Sequence, residues 1–445
     1  MNVFDLDIPE GVYYIMSKLK ENGHKAYIVG GCVRDSLMRM TPKDWDITTS
    51  ATPQEVKKIF TDTYDTGIKH GTVTVSVGRE TFEVTTFRIE GVYDDHRKPS
   101  KVFFTKSILE DLKRRDFTMN AIAFHPEEGL IDPFNGASDI TNKIIRCVGI
   151  ADERFKEDAL RMLRAFRFSC QLNFDIEKHT FEAIHKNRKL IKEVSNERVR
   201  EELNKLLLSD HPMKLLLMQK AKILAYILPE LECCLFTKQN HPYHVYDVGL
   251  HTLKAVQSIE KDIALKWTML LHDVGKPLSK TVDSEGIDHF YGHGEKSMEL
   301  ADRILKRLRF DNKTINRITR LVKWHDRPIE ATPKAVRRAV RIIGEDIFLD
   351  LLKVKEADVK AQNPEYLKER QIKLHNIKRI YEEIKQSGQC LSIKDLAVSG
   401  EDLLSIGIPE GKNIGSILKK LLDIVIEAPE MNTREKLLSY IKDSE

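Results

Sequence analysis

The hydrophobic period of the chain changes near Gly149, and that change limits its architecture more than any other feature. Before it, "GTVTVSV" and "TFEVTTFRI" alternate apolar and polar residues with β-branched enrichment, and "KAYIVGG" is a short apolar run ending in glycines. A period of two marks strands of a half-buried sheet. From "ERFKEDALRMLRAFRFSCQL" onward, apolar residues recur at helical spacing and strand signals nearly vanish. The expected fold class is α+β, with a small mixed-sheet head followed by a long all-α body. At 445 residues the chain is too long for one ordinary core. The expected division is 1–150 for the head, 151–235 for a helical neck, 236–375 for a histidine-rich helical domain and 376–445 for a helical tail.

Charged residues make up 31% of the chain but net only +4, so bulk charge does not announce a nucleic-acid binder and any basic surface must be local. Candidates are Lys113-Arg114-Arg115, then Arg161, Arg164 and Arg167 at helical spacing, and Lys334 with Arg337, Arg338 and Arg341. The plainer reading of each is a solvated helix face. Six scattered cysteines without paired spacing argue against a disulfide framework or a zinc ribbon, and for a reducing compartment. The start, "MNVFDLDIPEGVYY", has no leader pattern, and no apolar run approaches the ~18 residues of a membrane span. A cytoplasmic protein with no membrane contact and no obligate protein partner is expected.

In "KDWDITT", Asp44 and Asp46 stand two apart, a spacing that puts both carboxylates on one face of a strand. Like charges held close need a cation, and Mg²⁺ is the simplest, a hard ion that keeps substrate phosphates in its shell. Glu83 in "TFEVTTF", on a neighbouring strand, would complete a two-ion cradle that activates a hydroxyl and stabilises a leaving pyrophosphate. Upstream, Gly30 and Gly31 permit a turn whose N–H groups approach an anion, with Arg34 one turn into the helix they open. Neither pattern is specific alone; their order and separation make the pair so.

The ordered set "VGGCVRD", "KDWDITTSATPQEV", "DTGIKHGTVTV", "EVTTFR", "DLKRRDFTMNAIA", "IDPFNG", "RFKEDALRMLRAFRF" and "ERVREEL" resembles the class II tRNA nucleotidyltransferases, the CCA-adding enzymes, which share their head with bacterial poly(A) polymerases. The resemblance covers residues 24 to about 207. It implies addition of C, C and A to the 3′ end of tRNA from CTP and ATP, with Mg²⁺ and release of pyrophosphate. By position it implies that Asp44, Asp46 and Glu83 hold the catalytic ions. Gly30, Gly31 and Arg34 match the triphosphate turn, and Arg115, Asp116 and Asn120 in "RRDFTMNA" match a motif contacting ribose and phosphates.

"EDALR" offers a physical route to base choice. Asp158 and Arg161 are i and i+3 in a helical segment, so their side chains can meet on one face, with Arg164 a turn further on. Cytosine and adenine both set an amine beside an unprotonated ring nitrogen, which a carboxylate and a guanidinium complement; uracil and guanine reverse that pattern. The plainer reading is a surface ion pair. Residues 87 to 112, an uninterrupted polar stretch, look like the flexible loop that full CCA-adding enzymes use to switch from C to A.

Seven of the fifteen histidines fall between His241 and His325. "HVYDVGLHTLKAV", "ALKWTMLLHDVGKP", "HFYGHGEKS", "LVKWHDRP" and "LLKVKEADVKAQ" resemble, in order, an HD-domain metal phosphohydrolase. His251, His272, Asp273 and Asp358 would hold one divalent transition metal such as Mn²⁺, Ni²⁺, Fe²⁺ or Zn²⁺. His289, His293 and His325 are further candidates for a second ion or a substrate phosphate, and Lys276 for assisting that phosphate. The resemblance implies phosphatase or cyclic phosphodiesterase chemistry on 2′ or 3′ phosphates, in a chain whose helical remainder grips the tRNA acceptor arm. Arg198 and Arg200 would support the base-reading helix or the tRNA. Two alternatives stay open, a poly(A) polymerase and an HD phosphohydrolase whose head only binds RNA.

Overall fold

The computed structural model describes residues 6–90, 93–94, 98–99 and 102–442. The chain divides into two compact units, Met1–Pro229 and Glu230–Glu445.

The first unit is built on the strands β1 (Ala26–Val29), β2 (Asp46–Thr49), β3 (Thr63–Gly67), β4 (Thr72–Val77) and β5 (Glu80–Thr86). Alternation decides which face they bury: Val73 and Val75 of β4 and Val84 of β5 are wholly buried, while Glu83 is exposed. Each buried valine or isoleucine stabilises the sheet by about 1.5–3 kcal/mol. Beyond β5 comes a ribbon in which β6 (Arg88–Glu90), β7 (Tyr93–Asp94), β8 (Lys98–Pro99) and β9 (Val102–Phe104) pair antiparallel as β6 with β9 and β7 with β8. The polar stretch 87–112 is therefore a β-ribbon and a short helix, Ile108–Lys113, where it is described; residues 91–92, 95–97 and 100–101 lie outside the described residues. The apolar pairing Ile89 opposite Phe103 gives the ribbon its register. Two further strands, β10 (Ala123–His125) and β11 (Gly129–Ile131), complete a seven-stranded sheet of order β11-β10-β1-β2-β5-β4-β3. Only β2 and β5 run parallel, so the sheet is mixed. Tyr27, Val29, Phe87, Leu112, Ala121, Ala123 and Val148 form a buried cluster against it.

Helices follow as the change of period requires, and the strands after residue 150 are two-residue pieces such as Asp175–Ile176. The segment expected as one helix through "EDALR" is two, Ala151–Glu157 and Leu160–Leu172, because Asp158 adopts extended backbone at φ −137°, ψ 104°. The helix Asn196–Leu207 packs on the second through a buried Arg167–Glu202 ion pair at 2.5 Å.

In the second unit the helix Ile263–Leu271, "IALKWTMLL", is apolar but for Lys266 and Thr268 and is buried from Ala264 onward. Around it pack the helices Val248–Ser258, Asn312–Trp324 and Glu345–Lys360. Asp247, Asp262, Asp311 and Thr332 each accept a hydrogen bond from a first-turn N–H, N-caps worth about 1 kcal/mol apiece. The basic run in the helix Pro333–Ile343 is partly a solvated face, with Lys334 and Arg338 exposed and Arg337 buried, and its charges meet partners. Arg337 Nε donates to the Ile426 carbonyl at 2.9 Å, Lys334 Nζ lies 2.8 Å from Glu427, Arg341 lies 3.2 Å from Asp423, and Arg338 also pairs with Glu427, all on or beside the helix Lys412–Glu427. All six cysteines are unpaired. Among the described residues no helix is long and apolar enough to cross a membrane.

Candidate functional sites

In the first unit, the parallel pairing of β2 and β5 places Asp46 directly opposite Glu83. Asp44 is not on the strand: it lies exposed in a bend just before it, since β2 begins only at Asp46. The three carboxylates still feel one another. Burial pushes the Asp46 carboxyl above the ordinary carboxylate range; Arg115 opposes this, while Glu83 and Asp44 add to it. Acidic groups held in mutual repulsion around a half-buried carboxylate fit a divalent cation, which would remove that repulsion.

Gly30 lies against this cluster. Its φ of 84° favours glycine, and a Cβ there would stand 2.9 Å from Arg115 Nη1 and 3.9 Å from Asp46 Oδ2. The diglycine turn, Arg115 and Asp46 thus share one corner, and Gly31 opens the helix Gly31–Leu37. Arg115 Nη2 lies 3.4 Å from Asp111 Oδ2, and Asp111 is wholly buried, with Arg114 at 2.8 Å. Sequence reading passed over Asp111, although its i+3 and i+4 spacing to Arg114 and Arg115 is the signal that would have found it.

Arg34, Asn120 and Asp116 are buried and form one chain of contacts with the half-buried Arg164. Arg34 Nη1 donates to Asn120 Oδ1 at 2.7 Å, Asn120 Nδ2 donates to Asp116 Oδ1 at 3.1 Å, and Arg164 Nη2 lies 2.6 Å from Asp116 Oδ2. Burial alone would raise the Asp116 carboxyl, but Arg164 and the hydrogen bonds of Asn120 and the Phe117 N–H outweigh it and bring it down to about 2. The guanidiniums of Arg34, Arg164 and Arg167 lie 5.3, 5.5 and 3.9 Å from the centroid of the Phe168 ring. The expected basic stripe Arg161-Arg164-Arg167 accordingly points inward, with Arg161 and Arg167 buried.

Asp158 and Arg161 are each held by further partners. Asp158 Oδ1 accepts from Leu160 N at 3.1 Å and Oδ2 lies 2.9 Å from Arg198 Nη2. Arg161 Nη1 meets Glu157 Oε2 at 2.7 Å, and Nη2 donates to the Arg114 carbonyl at 2.9 Å. The single helix on which the i, i+3 spacing relied is broken at Asp158, and both side chains are held at the start of the following helix by fixed partners. Glu157 went unnoticed in the sequence; Arg198 is where a supporting role was expected.

In the second unit, His251, His272 and Asp273 bring one ligand atom each within 4.8 Å of one another, and so do Asp273, His293 and His325. Asp358 joins the first group, its Oδ1 2.9 Å from His251 Nε2 and 3.6 Å from His272 Nε2. Each of the four histidines turns Nδ1 to a backbone carbonyl: Ala361, Met269, Phe290 and Val322, at 3.1, 2.7, 2.8 and 2.7 Å. A carbonyl only accepts, so each Nδ1 carries the proton, and when the imidazoles are neutral each Nε2 presents its lone pair. Those lone pairs face one another, His251 to His272 at 3.2 Å and His293 to His325 at 3.1 Å. Neither buried oxygen of Asp273 accepts a hydrogen bond, though Lys276 Nζ lies 2.7 Å from Oδ2. Donors held about 2.0–2.2 Å from one ion stand roughly 3.0–3.5 Å apart, so these spacings fit divalent metal.

His289 belongs to neither group. It sits on the two-residue strand Asp288–His289, 2.7 Å from Asp283 and stacked on Tyr291, whereas His293 starts the helix His293–Arg307. A cavity of about 500 Å³ opens over the cluster, with His244, Asp273, Lys276, His293, Asp358 and Arg370 among its walls. His244, which sequence reading counted without assigning a role, lies edge-on to His251 with its Nδ1 buried and unpartnered.

Known proteins resemble the chain along its length. The family described as "Poly A polymerase head domain" matches residues 26–146, "Probable RNA and SrmB- binding site of polymerase A" matches 173–235, and a tRNA nucleotidyltransferase domain 2 family matches 293–441. A CCA-adding enzyme of Lactobacillus helveticus is 33% identical over 429 residues, 96% of each chain. One of Streptococcus agalactiae is 39% identical over 333 residues, 70% of this chain and 83% of that one. Among solved structures, the Bacillus stearothermophilus CCA-adding enzyme in complex with CTP aligns over 97% of this chain and 96% of its own, with 29% identity and a TM-score of 0.75.

Proposed function

The chain belongs to the CCA-adding enzyme family, and on that premise we propose that it adds C, C and A to the 3′ end of tRNA from CTP and ATP, releasing pyrophosphate, as a cytoplasmic enzyme. The observation that carries the reading is the register of Asp46 against Glu83 beside the Gly30 turn. Asp44, Asp46 and Glu83 are the residues to hold divalent ions, Mg²⁺ by their all-oxygen chemistry, which when bound supply charge neutralisation of the triphosphate and acidify the attacking hydroxyl. The chain's own groups position the reactants. The Gly30-Gly31 turn brings backbone close to the phosphates, and Arg115 meets them from the same corner. The Arg34–Asn120–Asp116–Arg164 chain fixes the floor on which the nucleotide rests.

Asp158 and Arg161 are the residues to read the base edge. Arg198 holds Asp158 and Glu157 holds Arg161 at fixed positions, so an acceptor and a donor are oriented before the nucleotide arrives. Preoriented polar groups reject uracil because a mismatch leaves them unpaired, a penalty that reaches 10⁴-fold or more in built sites. Incubating the protein with tRNA lacking its end and each labelled nucleotide tests the reading. Addition of C, C and one A supports it, long A tails point to a poly(A) polymerase, and no incorporation removes both.

A second activity rests on the second unit. His251, His272, Asp273 and Asp358, with His293 and His325 sharing Asp273, are the residues to hold a divalent transition metal in an HD-type phosphohydrolase site. The four carbonyl-anchored imidazoles support it. In this reading residues 1–150 are the nucleotidyltransferase head, 151–235 carry base recognition, 236–375 the phosphohydrolase and 376–445 the tRNA-binding tail.

A further inference from the structure

The cavity over the histidine cluster carries five cationic side chains: Lys276, Arg327, Lys355, Arg370 and Lys373. Three are committed elsewhere. Lys276 Nζ lies 2.7 Å from Asp273, Lys355 Nζ donates to the carbonyls of His325 and Arg327 at 2.6 and 2.7 Å, and Lys373 Nζ lies 2.9 Å from Glu330. The Arg327 guanidinium lies 5.1 Å from the Trp324 ring centroid. Arg370 is different. It makes no ion pair among the described residues, its guanidinium lies 5.4 Å from the centroid of Tyr243, and it donates to Gln362 Oε1. Gln362 Nε2 in turn donates to Asp358 Oδ2 at 2.9 Å, and Asp358 Oδ1 contacts His251. Gln362 is buried, so the relay from Arg370 to the carboxylate is shielded from water.

A guanidinium on a cavity wall with no acid to neutralise it attracts an anion, and its planar fork matches phosphate oxygens better than an ammonium does. We propose that Arg370 is the anion-recognising residue of this cavity, that the ligand is a phosphate ester, and that Gln362 is a positioning residue tying the arginine to Asp358. The inference rests on the reading of His251, His272, Asp273 and Asp358 as a metal centre.

The test uses the full chain. Protein is incubated with Mn²⁺, Fe²⁺, Ni²⁺ or Zn²⁺ in turn, retained metal is measured by elemental analysis, and binding of inorganic phosphate to the loaded protein is followed by calorimetry. Arg370→Ala and Arg370→Gln should each retain the wild-type amount of metal and bind phosphate about tenfold or more weakly, and Arg370→Lys should recover only part of the loss. Gln362→Leu should weaken phosphate binding less than Arg370→Ala at equal metal content. Displacement of the phosphate by 3′-AMP or by an RNA ending in a 3′-phosphate separates a free nucleotide from an RNA end as the source of the anion; displacement by neither overturns the ester assignment. Undiminished phosphate affinity in both Arg370→Ala and Arg370→Gln at full metal content overturns the proposal and leaves the metal centre standing. Wild-type protein that retains none of the four metals overturns both.

Discussion

Asp46 on β2 and Glu83 on β5 are direct register partners across the one parallel pairing of the sheet. Two acidic groups from distant segments are thereby fixed side by side, and burial together with Glu83 and Asp44 holds the Asp46 carboxyl above its ordinary range. An acid whose folded pKa is raised costs stability at every pH above that value and costs nothing below its unfolded value. Asp46→Asn should therefore raise the melting temperature of metal-free protein at pH 7, with the gain vanishing under acidic conditions, while nucleotide incorporation is abolished. A melting temperature lower for Asp46→Asn than for wild type, both in EDTA at neutral pH, would contradict the reading of the site as strained without its ion.

Asp116 carries the opposite sign. Its folded pKa of about 2 lies below the ordinary carboxylate value, so the stability it contributes is fully present above about pH 4 and is lost as pH falls towards 2. Asp116→Asn also leaves the half-buried Arg164 guanidinium without its charged partner, a loss of about 1–3 kcal/mol. Denaturant unfolding of the first unit should show that deficit at pH 7 and a narrowing gap from wild type below about pH 4. A gap that stays constant to pH 3 would mean that Asp116 is not the titrating group.

If Asp158 and Arg161 read the base as proposed, its choice depends on how they are held. Arg198→Met removes the 2.9 Å contact that orients Asp158 without touching the phosphate corner. Discrimination of CTP over UTP, measured as the ratio of kcat/KM values, should fall by about tenfold, the worth of roughly one oriented base-edge contact, whereas the rate with saturating CTP changes less. Arg161→Ala should relax the choice further. An unchanged ratio in both variants would remove the base-reading role of this segment.

The sequence carries the mixed sheet, the three acidic residues and the histidine series because each is written in a local period or spacing. Val73 and Val75 alternate with threonines, and N-caps such as Asp262 stand where an apolar run begins. The break at Asp158 is not written locally. "ERFKEDALRMLRAF" reads as uninterrupted helix, and it is Arg198, forty residues on, that draws the Asp158 carboxylate out of the helical path. The inward turn of Arg164 and Arg167 is hidden for the same reason: their partners Asp116 and Glu202 lie 48 and 35 residues away. Helical spacing alone cannot tell a solvated basic stripe from one whose acids arrive through tertiary packing.

Metal in the second unit should be separable from nucleotide addition. Asp273 is shared by both ligand groups and is wholly buried beside Lys276, His272 and His293. Asp273→Asn keeps the shape but replaces one oxygen by a donor, which cannot face a cation and sets N–H groups against the imidazoles around it. The variant should lose retained transition metal in elemental analysis and lose phosphate-ester hydrolysis. Incorporation of CTP and ATP into tRNA should stay within about twofold of wild type, since the residues holding the triphosphate belong to the other compact unit. Asp46→Asn gives the converse test and should leave metal retention by the histidine cluster intact. Loss of both activities in either variant, with the fold intact by circular dichroism, would mean that one centre serves both reactions.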